Sequence, residues 1–363
     1  MFKGFAKSFC IILALQGICT VIVHAGTTPI YRGVNLSGAE FGRCNNTAKY
    51  GTQYIYPSNQ IIDWFLAQGM NTFRLPFCWE RLQPTAKGAL DTAELGRLDN
   101  VVRYATGKGA YIILDPHNYA SYWGKKLGDE NDYAALADLW QKLAAQYKSN
   151  DHVIFGLMNE PSGIAGEKWV AAANASIAAI RQQQAGNLIL VPGVAWTGAH
   201  SWGSTSYGTP NAVSMLTIKD PGNNYIFEMH QYLDSDSSGT HAECVDPTIG
   251  SRRMQKATDW LRQNNKKALL GEFAGAKNDV CYQAVDDLLN FITQNSDIWI
   301  GWTYWSAGAW LGNYMYALPV AATSAPSQLD ILKKYLGAAT CGSAANPCPP
   351  PNPPGGLQTT PGF

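Results

Sequence analysis

Short apolar runs alternate with amphipathic stretches along most of the chain. Eight runs have the length and continuous apolar character of buried strands, and the stretches between them place apolar residues at helical spacing. Continuous apolar strands that alternate with helices are typical of a parallel sheet covered by helices. Eight repeats favour closure of that sheet over an open, doubly wound arrangement. The pattern therefore predicts the α/β class and a single (β/α)8 TIM barrel.

The predicted elements cover the chain from Tyr31 to Tyr335. The strands are Tyr31–Leu36, Thr72–Phe77, Ala110–His117, Val153–Glu160, Leu188–Gly193, Tyr225–Leu233, Ala268–Phe273 and Ile298–Trp305. The helices are Gln60–Gln68, Glu94–Thr106, Tyr133–Tyr147, Lys168–Gln183, Arg252–Gln263, Val285–Thr293 and Leu329–Tyr335. The stretch after Gly193 is poorly helical and has the character of a loop. The sequence has no G-x-G-x-x-G or P-loop motif that would favour a nucleotide-binding fold.

The two ends of the chain differ from the rest. Lys3 and Lys7 precede an apolar run from Phe9 to Val23, and Ala25 offers a small residue for cleavage. This run is short for a membrane span and has the order of a secretory signal. The last 23 residues hold seven of the 19 Pro and have no core-forming pattern. We therefore expect a signal peptide over 1–25, the barrel domain over 26–340 and a Pro-rich linker or tail over 341–363.

The cysteines fit an exported protein. Six of the eight Cys follow the predicted signal, and cysteines outside the cytosol usually form disulfides. Counting alone allows fifteen pairings of six cysteines. We predict the pairs Cys44 with Cys78, Cys244 with Cys281, and Cys341 with Cys348. A zinc site is not indicated, because no Cys-x-x-Cys spacing occurs.

Charge and ring content limit the class of partner. The chain has 27 basic and 27 acidic side chains, so it has no basic excess for nucleic acid or anionic lipid. It also has 12 Trp and 18 Tyr, whose apolar faces and polar edges suit flat, hydroxyl-rich ligands. We expect a secreted, extracellular monomer with a neutral substrate and no nucleic-acid or membrane partner.

Polar and aromatic side chains stand at the carboxyl ends of six predicted strands, where a closed parallel barrel carries its chemistry. They are Arg74, His117 and Asn118, Asn159 and Glu160, His230 and Tyr232, Glu272, and Trp305. A carboxylic acid at the end of an apolar strand is costly unless it is paired or used, and this occurs at both Glu160 and Glu272. Two carboxylates, with Arg, His and Tyr to separate their pKa values, are what acid-assisted cleavage of a glycosidic bond requires.

This pattern resembles glycoside hydrolase family 5, the endoglucanase-type cellulases, from about Tyr31 to the end of the eighth strand. The most specific matches are Asn159-Glu160-Pro161 and Leu270-Gly271-Glu272-Phe273. The segments Arg32–Glu40 and Asp115–Tyr119 are similar to the fungal and bacterial cellulase branch rather than to the mannanases. Ala274 departs from the family, in which glycine is more usual at that position.

The resemblance implies a role for each matching residue. Glu160 would be the general acid/base and Glu272 the nucleophile, while Asn159 would hydrogen-bond the 2-hydroxyl of the sugar. Arg74 and Tyr232 would hold Glu272 ionised. The remaining substrate-binding and supporting residues are His117, Asn118, His230 and Trp305. No metal and no cofactor are expected, because the sequence has no His/Cys cluster at ligand spacing.

The predicted function is therefore a retaining endo-β-1,4-glucanase acting on a β-glucan polysaccharide. An endo-β-1,4-mannanase or a mixed-linkage glucanase is the alternative within the family, because the catalytic set is shared. A metal-dependent barrel hydrolase using Asp115, His117 and His230 is a distant alternative, since a closely spaced His pair and a bridging Lys are absent. A non-catalytic carbohydrate-binding protein would not need both Glu160 and Glu272.

The sequence allows two interpretations of the aromatic residues in the predicted loops. We expect Trp302 to pack in the core. Tyr119, Trp123, Trp196 and Trp202 lie in predicted loops, where lining a cleft and plain packing are both compatible with the pattern.

Overall fold

The computed structural model describes residues 30–336 except Asn46, Tyr207 and Ala325. Its strands are β1 (Tyr31–Leu36), β2 (Thr72–Phe77), β3 (Tyr111–Pro116), β4 (Ser121–Tyr122), β5 (Lys125–Lys126), β6 (Val153–Gly156), β7 (Ile189–Pro192), β8 (Tyr225–His230), β9 (Ala268–Glu272) and β10 (Trp299–Ala307). The short strands β4 and β5 form an antiparallel hairpin. The other eight form a closed barrel in the order β1-β2-β3-β6-β7-β8-β9-β10, in which every neighbouring pair is parallel.

The helices follow the barrel strands and cover the outside of the barrel. They are α1 (Asn59–Ala67), α2 (Trp79–Leu82), α3 (Thr92–Gly107), α4 (Glu130–Tyr147), α5 (Gly166–Gln182), α6 (Asn211–Ser214), α7 (Ile249–Gln263), α8 (Asp279–Gln294) and α9 (Gln328–Leu332). Short 3-10 turns occupy Ala195–Thr197, Met215–Thr217 and Lys333–Tyr335. The predicted (β/α)8 barrel is therefore confirmed. The stretch after Gly193 is mostly loop, as predicted, but also contains the four-residue α6.

Several helices begin earlier than their apolar pattern indicates, because capping side chains extend them. Helix α8 begins at Asp279 rather than Val285, since the Asn278 side chain accepts a hydrogen bond from the Cys281 backbone N–H at 2.9 Å. Such a side chain satisfies a backbone donor that has no partner within the helix. The spacing of apolar residues therefore predicts the part of a helix that packs against the core, whereas the capping residue sets where the helix begins.

The floor of the barrel interior is apolar. It is formed by one layer of buried side chains from five strands: Ile113, Ile154, Leu190, Ile226 and Leu269. Side chains two residues apart on a strand point to the same face. Asp115 on β3 and Glu228 on β8 therefore stand directly above Ile113 and Ile226 in the barrel interior. Above the apolar layer, at the carboxyl ends of the strands, lies a layer of polar side chains that we call the polar layer. Its members are Asn35, Arg74, Asp115, Asn159, Glu228 and Glu272.

Two disulfides stabilise loops at this end of the barrel. Cys44 is bonded to Cys78, and Cys244 to Cys281, with Cα–Cα distances of 5.2 Å in both. These two predicted pairings are confirmed. The predicted pair Cys341–Cys348, the signal segment 1–25 and the tail 341–363 lie outside the described residues. No helix within the described ranges combines the length and the apolarity that a membrane span requires.

Candidate active site

Arg74 lies at the centre of the polar layer. It is fully buried on β2, where three carboxylates surround its guanidinium group. Nη1 lies 3.0 Å from Asp115 Oδ2 and 2.9 Å from Glu272 Oε1, and Nε lies 2.8 Å from Glu228 Oε1. Burial opposes the charged form, but these carboxylates raise the pKa of Arg74 above its usual value. Arg74 therefore remains a cation and keeps three acids from three strands close together.

Two asparagine side chains complete the contacts of Arg74. Nη1 donates to Asn35 Oδ1 and Nη2 donates to Asn159 Oδ1, each at 2.9 Å. The Asn35 amide in turn donates to the Gly271 carbonyl oxygen at 2.9 Å, which links β1 to β9. With both amides oriented by Arg74, the Nδ2 group of Asn159 faces His117 Nε2 at 3.2 Å.

Glu272 ends strand β9 and is almost completely buried. Its Oε1 accepts from Arg74 Nη1, and its Oε2 accepts from the Tyr232 hydroxyl at 2.7 Å. Tyr232 lies in the loop after the neighbouring strand β8, whereas Arg74 lies on β2, which is not adjacent to β9. The two donors thus hold the two carboxylate oxygens from different parts of the barrel. Hydrogen bonds of this kind stabilise a negative charge on the acceptor.

Glu160 has a different environment. It lies in the loop after β6 with a backbone φ of 42°, a conformation that non-glycine residues rarely adopt. Its side chain is partly open to solvent, and Oε1 lies 2.8 Å from His230 Nδ1. Burial raises the pKa of Glu160; the hydrogen bond from His230 lowers it, and the charge of Glu272 raises it further. One carboxylate oxygen of Glu160 and one of Glu272 lie within 4.8 Å of each other.

His230 connects Glu160 to another acid. Its Nε2 lies 3.3 Å from Glu228 Oε1, while Nδ1 lies 2.8 Å from Glu160 and 3.6 Å from Glu272 Oε2. Burial opposes protonation, but the charge of Glu272 and the hydrogen bonds to Glu160 and Glu228 raise the pKa of His230 to about 10. Burial would raise the pKa of Glu228, but the charge of Arg74 and the hydrogen bond with His230 lower it below its usual value.

His117 lies on the opposite side of Arg74. Its Nδ1 is 2.8 Å from Asp115 Oδ2, and its Nε2 is 3.2 Å from the Tyr119 hydroxyl. Its ring is nearly parallel to that of Trp305, with centroids 5.4 Å apart and an interplanar angle of 16°. Burial opposes protonation, but the hydrogen bond to Asp115 raises the pKa of His117. Trp305 and His117 thus form one wall next to Asn159.

Asn118, one of the predicted substrate-binding and supporting residues, uses both ends of its amide within the protein. Its Oδ1 accepts from the Trp79 backbone N–H at 2.9 Å, and its Nδ2 donates to Glu80 Oε2 at 2.6 Å. Glu80 Oε1 also accepts from the backbone N–H of Trp123 at 2.7 Å. Asn118 therefore anchors the loop after β3 to α2, and its amide is not directed to a ligand.

The loop aromatics divide into exposed and buried residues. Tyr119, Trp123 and Trp196 are exposed on loops that follow barrel strands, where they are available to a ligand. Trp202 is buried, so it packs in the core, and Trp302 does so as predicted.

The sequence did not identify Asn35 and Glu228 as site residues, and it identified Asp115 only as a ligand of the metal-dependent alternative. Each is a polar residue within an apolar strand, the same signal that identified Glu160 and Glu272.

The contacts of these acids bear on the metal-dependent alternative. Ligand atoms of Glu160, His230 and Glu272 lie within 4.8 Å of one another, close enough to share a cation. However, both Glu272 oxygens accept hydrogen bonds, one of them from cationic Arg74. Asp115 Oδ2 is likewise taken by Arg74 and His117. The donor set is therefore arranged around protons and a guanidinium group, and a divalent cation would be repelled by Arg74.

Several known proteins are similar to this chain in sequence and in fold. The chain is 41% identical over 306 residues to endo-beta-1,4-glucanase B of Aspergillus niger, covering 84% of this chain and 89% of that protein. The solved structure of XacCel5A in complex with cellopentaose has a TM-score of 0.82 and 48% identity, covering 85% of this chain and all of that one.

A second bacterial structure, an endo-beta-1,4-glucanase from Xanthomonas axonopodis pv. citri, has a TM-score of 0.82 and 44% identity, covering 85% of this chain and 99% of that one. The model of the cellulase family, glycosyl hydrolase family 5, matches residues 28–308. The chain therefore belongs to the cellulase family of glycoside hydrolases, glycosyl hydrolase family 5.

Proposed function

We propose that the protein is a retaining endo-β-1,4-glucanase that hydrolyses internal bonds of cellulose or related β-glucans. The names of its relatives and the cellopentaose bound to XacCel5A support this substrate class. The observation that supports this mechanism is that one carboxylate oxygen of Glu160 and one of Glu272 lie within 4.8 Å of each other. Retaining enzymes have carboxyl groups about 5–5.5 Å apart, whereas inverting enzymes need about 6.5–9.5 Å to admit a water molecule.

In the first step, Glu272 attacks the anomeric carbon while Glu160 gives its proton to the glycosidic oxygen. The leaving chain departs and a covalent glycosyl-enzyme remains. In the second step, Glu160 takes a proton from water, which displaces Glu272 and yields a product of β configuration. Burial raises the pKa of Glu160, which keeps it protonated above the usual range of a carboxylic acid.

The other site residues orient the two acids and the sugar. Arg74 and Tyr232 fix the attacking carboxylate through the two hydrogen bonds described above. The Nδ2 group of Asn159 has a second N–H besides the one that faces His117, and this N–H would donate to the 2-hydroxyl of the sugar. Trp305 would line the cleavage subsite together with His117. His117 completes this side of the site.

We also propose that the enzyme is an extracellular monomer with the barrel domain over 26–340. The apolar N-terminal run and the two disulfides support export. No side-chain contact within the described ranges favours mannan or a mixed-linkage glucan over cellulose.

The test combines substrate choice with stereochemistry. We expect faster hydrolysis of carboxymethyl cellulose than of galactomannan, and proton NMR should show the β-anomer among the first products. Faster hydrolysis of galactomannan would assign the enzyme to the mannanases. An initial α-anomer would mean inversion and would overturn the nucleophilic role of Glu272.

A further inference from the structure

Two barrel strands carry the same arrangement of an acid two residues before a histidine. Asp115 lies on β3 and His117 directly follows that strand, while Glu228 and His230 both lie on β8. Because side chains two residues apart face the same side of a strand, each acid can reach the ring of its own histidine. Both acids also contact Arg74, so the site contains two matched acid–histidine pairs on one cation.

The two pairs serve different parts of the site. His117 contacts Asn159 and stacks on Trp305, the residues that face the sugar. The nearest acid to His230 outside its own strand is Glu160, at 2.8 Å from Nδ1. Glu228 is thus joined through one imidazole ring to the proton donor.

The space for Glu228 is built into the neighbouring strand. It is buried, and a Cβ atom on Gly271 would lie 2.3 Å from Glu228 Oε1. Any residue larger than glycine before the nucleophile would displace this oxygen from Arg74 and His230. The glycine that precedes Glu272 is therefore required by the carboxylate of Glu228.

The two nitrogens of His230 each face a carboxylate oxygen. Nε2 faces Glu228 at 3.3 Å and Nδ1 faces Glu160 at 2.8 Å. A ring nitrogen can form a hydrogen bond with a carboxylate only as a donor. Glu228 thus fixes both the orientation of the ring and the presence of a proton on the nitrogen that faces away from Glu160.

We propose that Glu228 is a positioning residue for proton transfer, which acts by holding His230 against Glu160. Asp115 is its counterpart for sugar binding, through His117. The inference rests on the proposed acid/base role of Glu160. The groups that face His230 and Glu160 from other strands are Glu272 on β9 and Arg74 on β2. A substitution of Glu228 leaves both residues in place but removes one contact of Arg74, so the test needs a control that removes a different contact of Arg74.

The test uses Glu228→Gln, which keeps the size of the side chain and removes its charge. Dinitrophenyl β-cellobioside has a leaving group that departs without a proton, whereas a cello-oligosaccharide needs one. We expect kcat/KM for the oligosaccharide to fall about 100-fold, the effect typical of general acid catalysis. The value for the dinitrophenyl substrate should change much less, because kcat/KM reports only the glycosylation step.

The matched control is Asp115→Asn, which removes an equal charge from Arg74. It should lower kcat/KM for both substrates by similar factors, because His117 is placed to bind the sugar and not to supply the proton. Equal losses on both substrates in Glu228→Gln would overturn the proposal, as would no loss on either. If Glu228→Gln does not fold, Glu228→Asp withdraws the carboxylate from His230 while keeping the charge, and the same selective loss is expected.

A second measurement follows the protonation of the His230 ring directly. The ¹⁵N chemical shifts of His230, titrated by NMR, should give a lower pKa in Glu228→Gln than in the wild type. An unchanged titration would contradict the proposal. Glu160→Gln separates this inference from the proposed function: if that variant shows no selective loss on the oligosaccharide, the acid/base assignment itself fails. If Glu160→Gln shows the selective loss on the oligosaccharide and Glu228→Gln does not, only the proposed role of Glu228 is wrong.

Discussion

Glu160 and Glu272 have the same side chain in two different surroundings. Glu272 accepts hydrogen bonds from a cation and a phenol, while Glu160 shares one histidine and is partly open to the cleft. A pair of carboxylic acids whose environments differ in this way can divide the roles of acid and nucleophile.

Substitution of each acid by its amide separates these roles. We expect Glu160→Gln and Glu272→Gln to lose most activity without unfolding, because neither side chain fills the apolar core. Azide should restore turnover of an activated substrate in both variants. In Glu160→Gln azide attacks the glycosyl-enzyme in place of water, which needs no base, and Glu272 leaves. In Glu272→Gln azide replaces the missing nucleophile and attacks the substrate directly, so the glycosyl azides should have opposite anomeric configurations by NMR.

Circular dichroism provides the control for folding in both variants. Near-normal turnover in either variant, or the same azide anomer from both, would show that the two roles are wrongly assigned.

Sequence alone located the residues at the strand ends but not their hydrogen-bond partners. Asn118 follows His117 and shares its strand end, so its position resembled that of a ligand-binding residue. Its amide is instead bonded to Glu80 and to the Trp79 backbone, which lie 38 and 39 residues earlier in the chain. No local pattern reports such a distant partner.

At the scale of elements, the barrel strands hold the acids while the loops after them carry the aromatic residues. Strand existence was predictable because eight apolar runs recur with helices between them. The loop conformations were not, since Trp196 and its neighbours Ala195 and Thr197 all have φ values between 53° and 56°. Such left-handed turns depend on contacts such as that of Thr197 Oγ1 with the Glu228 carbonyl oxygen at 2.6 Å.

The loop after β8 is tied to α8 by the Cys244–Cys281 disulfide. Replacing both cysteines by Ser should lower the free energy of unfolding by about 2–4 kcal/mol, because the unfolded chain gains freedom. Activity of the folded variant should persist, since the Asn278 side chain and the Tyr316 hydroxyl also bind this loop. Denaturant unfolding followed by fluorescence measures the change.

The Cys44–Cys78 pair is a matched control, because its separation of 34 residues is close to the 37 residues between Cys244 and Cys281. Loop-closure entropy then predicts nearly equal losses for the two double variants. Unequal losses, or lost activity in the folded Cys244→Ser/Cys281→Ser variant, would contradict this account.

At the scale of the whole molecule, one end of the barrel gathers side chains from strands that are far apart in the chain. The closed topology was predictable from the repeat, and it explains why Arg74 and Glu272 meet across 198 residues. What the repeat could not indicate is the number of acids inside the barrel. The structural role of Asp115 and Glu228 follows only from the structure, which shows that both contact Arg74.

The contacts of these acids predict that the enzyme works without a metal ion. Incubation with EDTA followed by dialysis should leave the rate of cellulose hydrolysis unchanged, because Arg74 already occupies the position beside the carboxylates. The rate before and after treatment is the measurement. Loss of activity that zinc or manganese restores would instead support the metal-dependent alternative.

The guanidinium of Arg74 has consequences for how this enzyme can diversify. Its five partners come from five different barrel strands or the loops after them, and each is oriented by the same cation. A substitution at any one of them removes a contact from the cation that orients the others, so we expect this layer to tolerate few substitutions. New substrate preferences can arise more freely at Trp123 and Trp196, which are exposed on the loops that follow barrel strands.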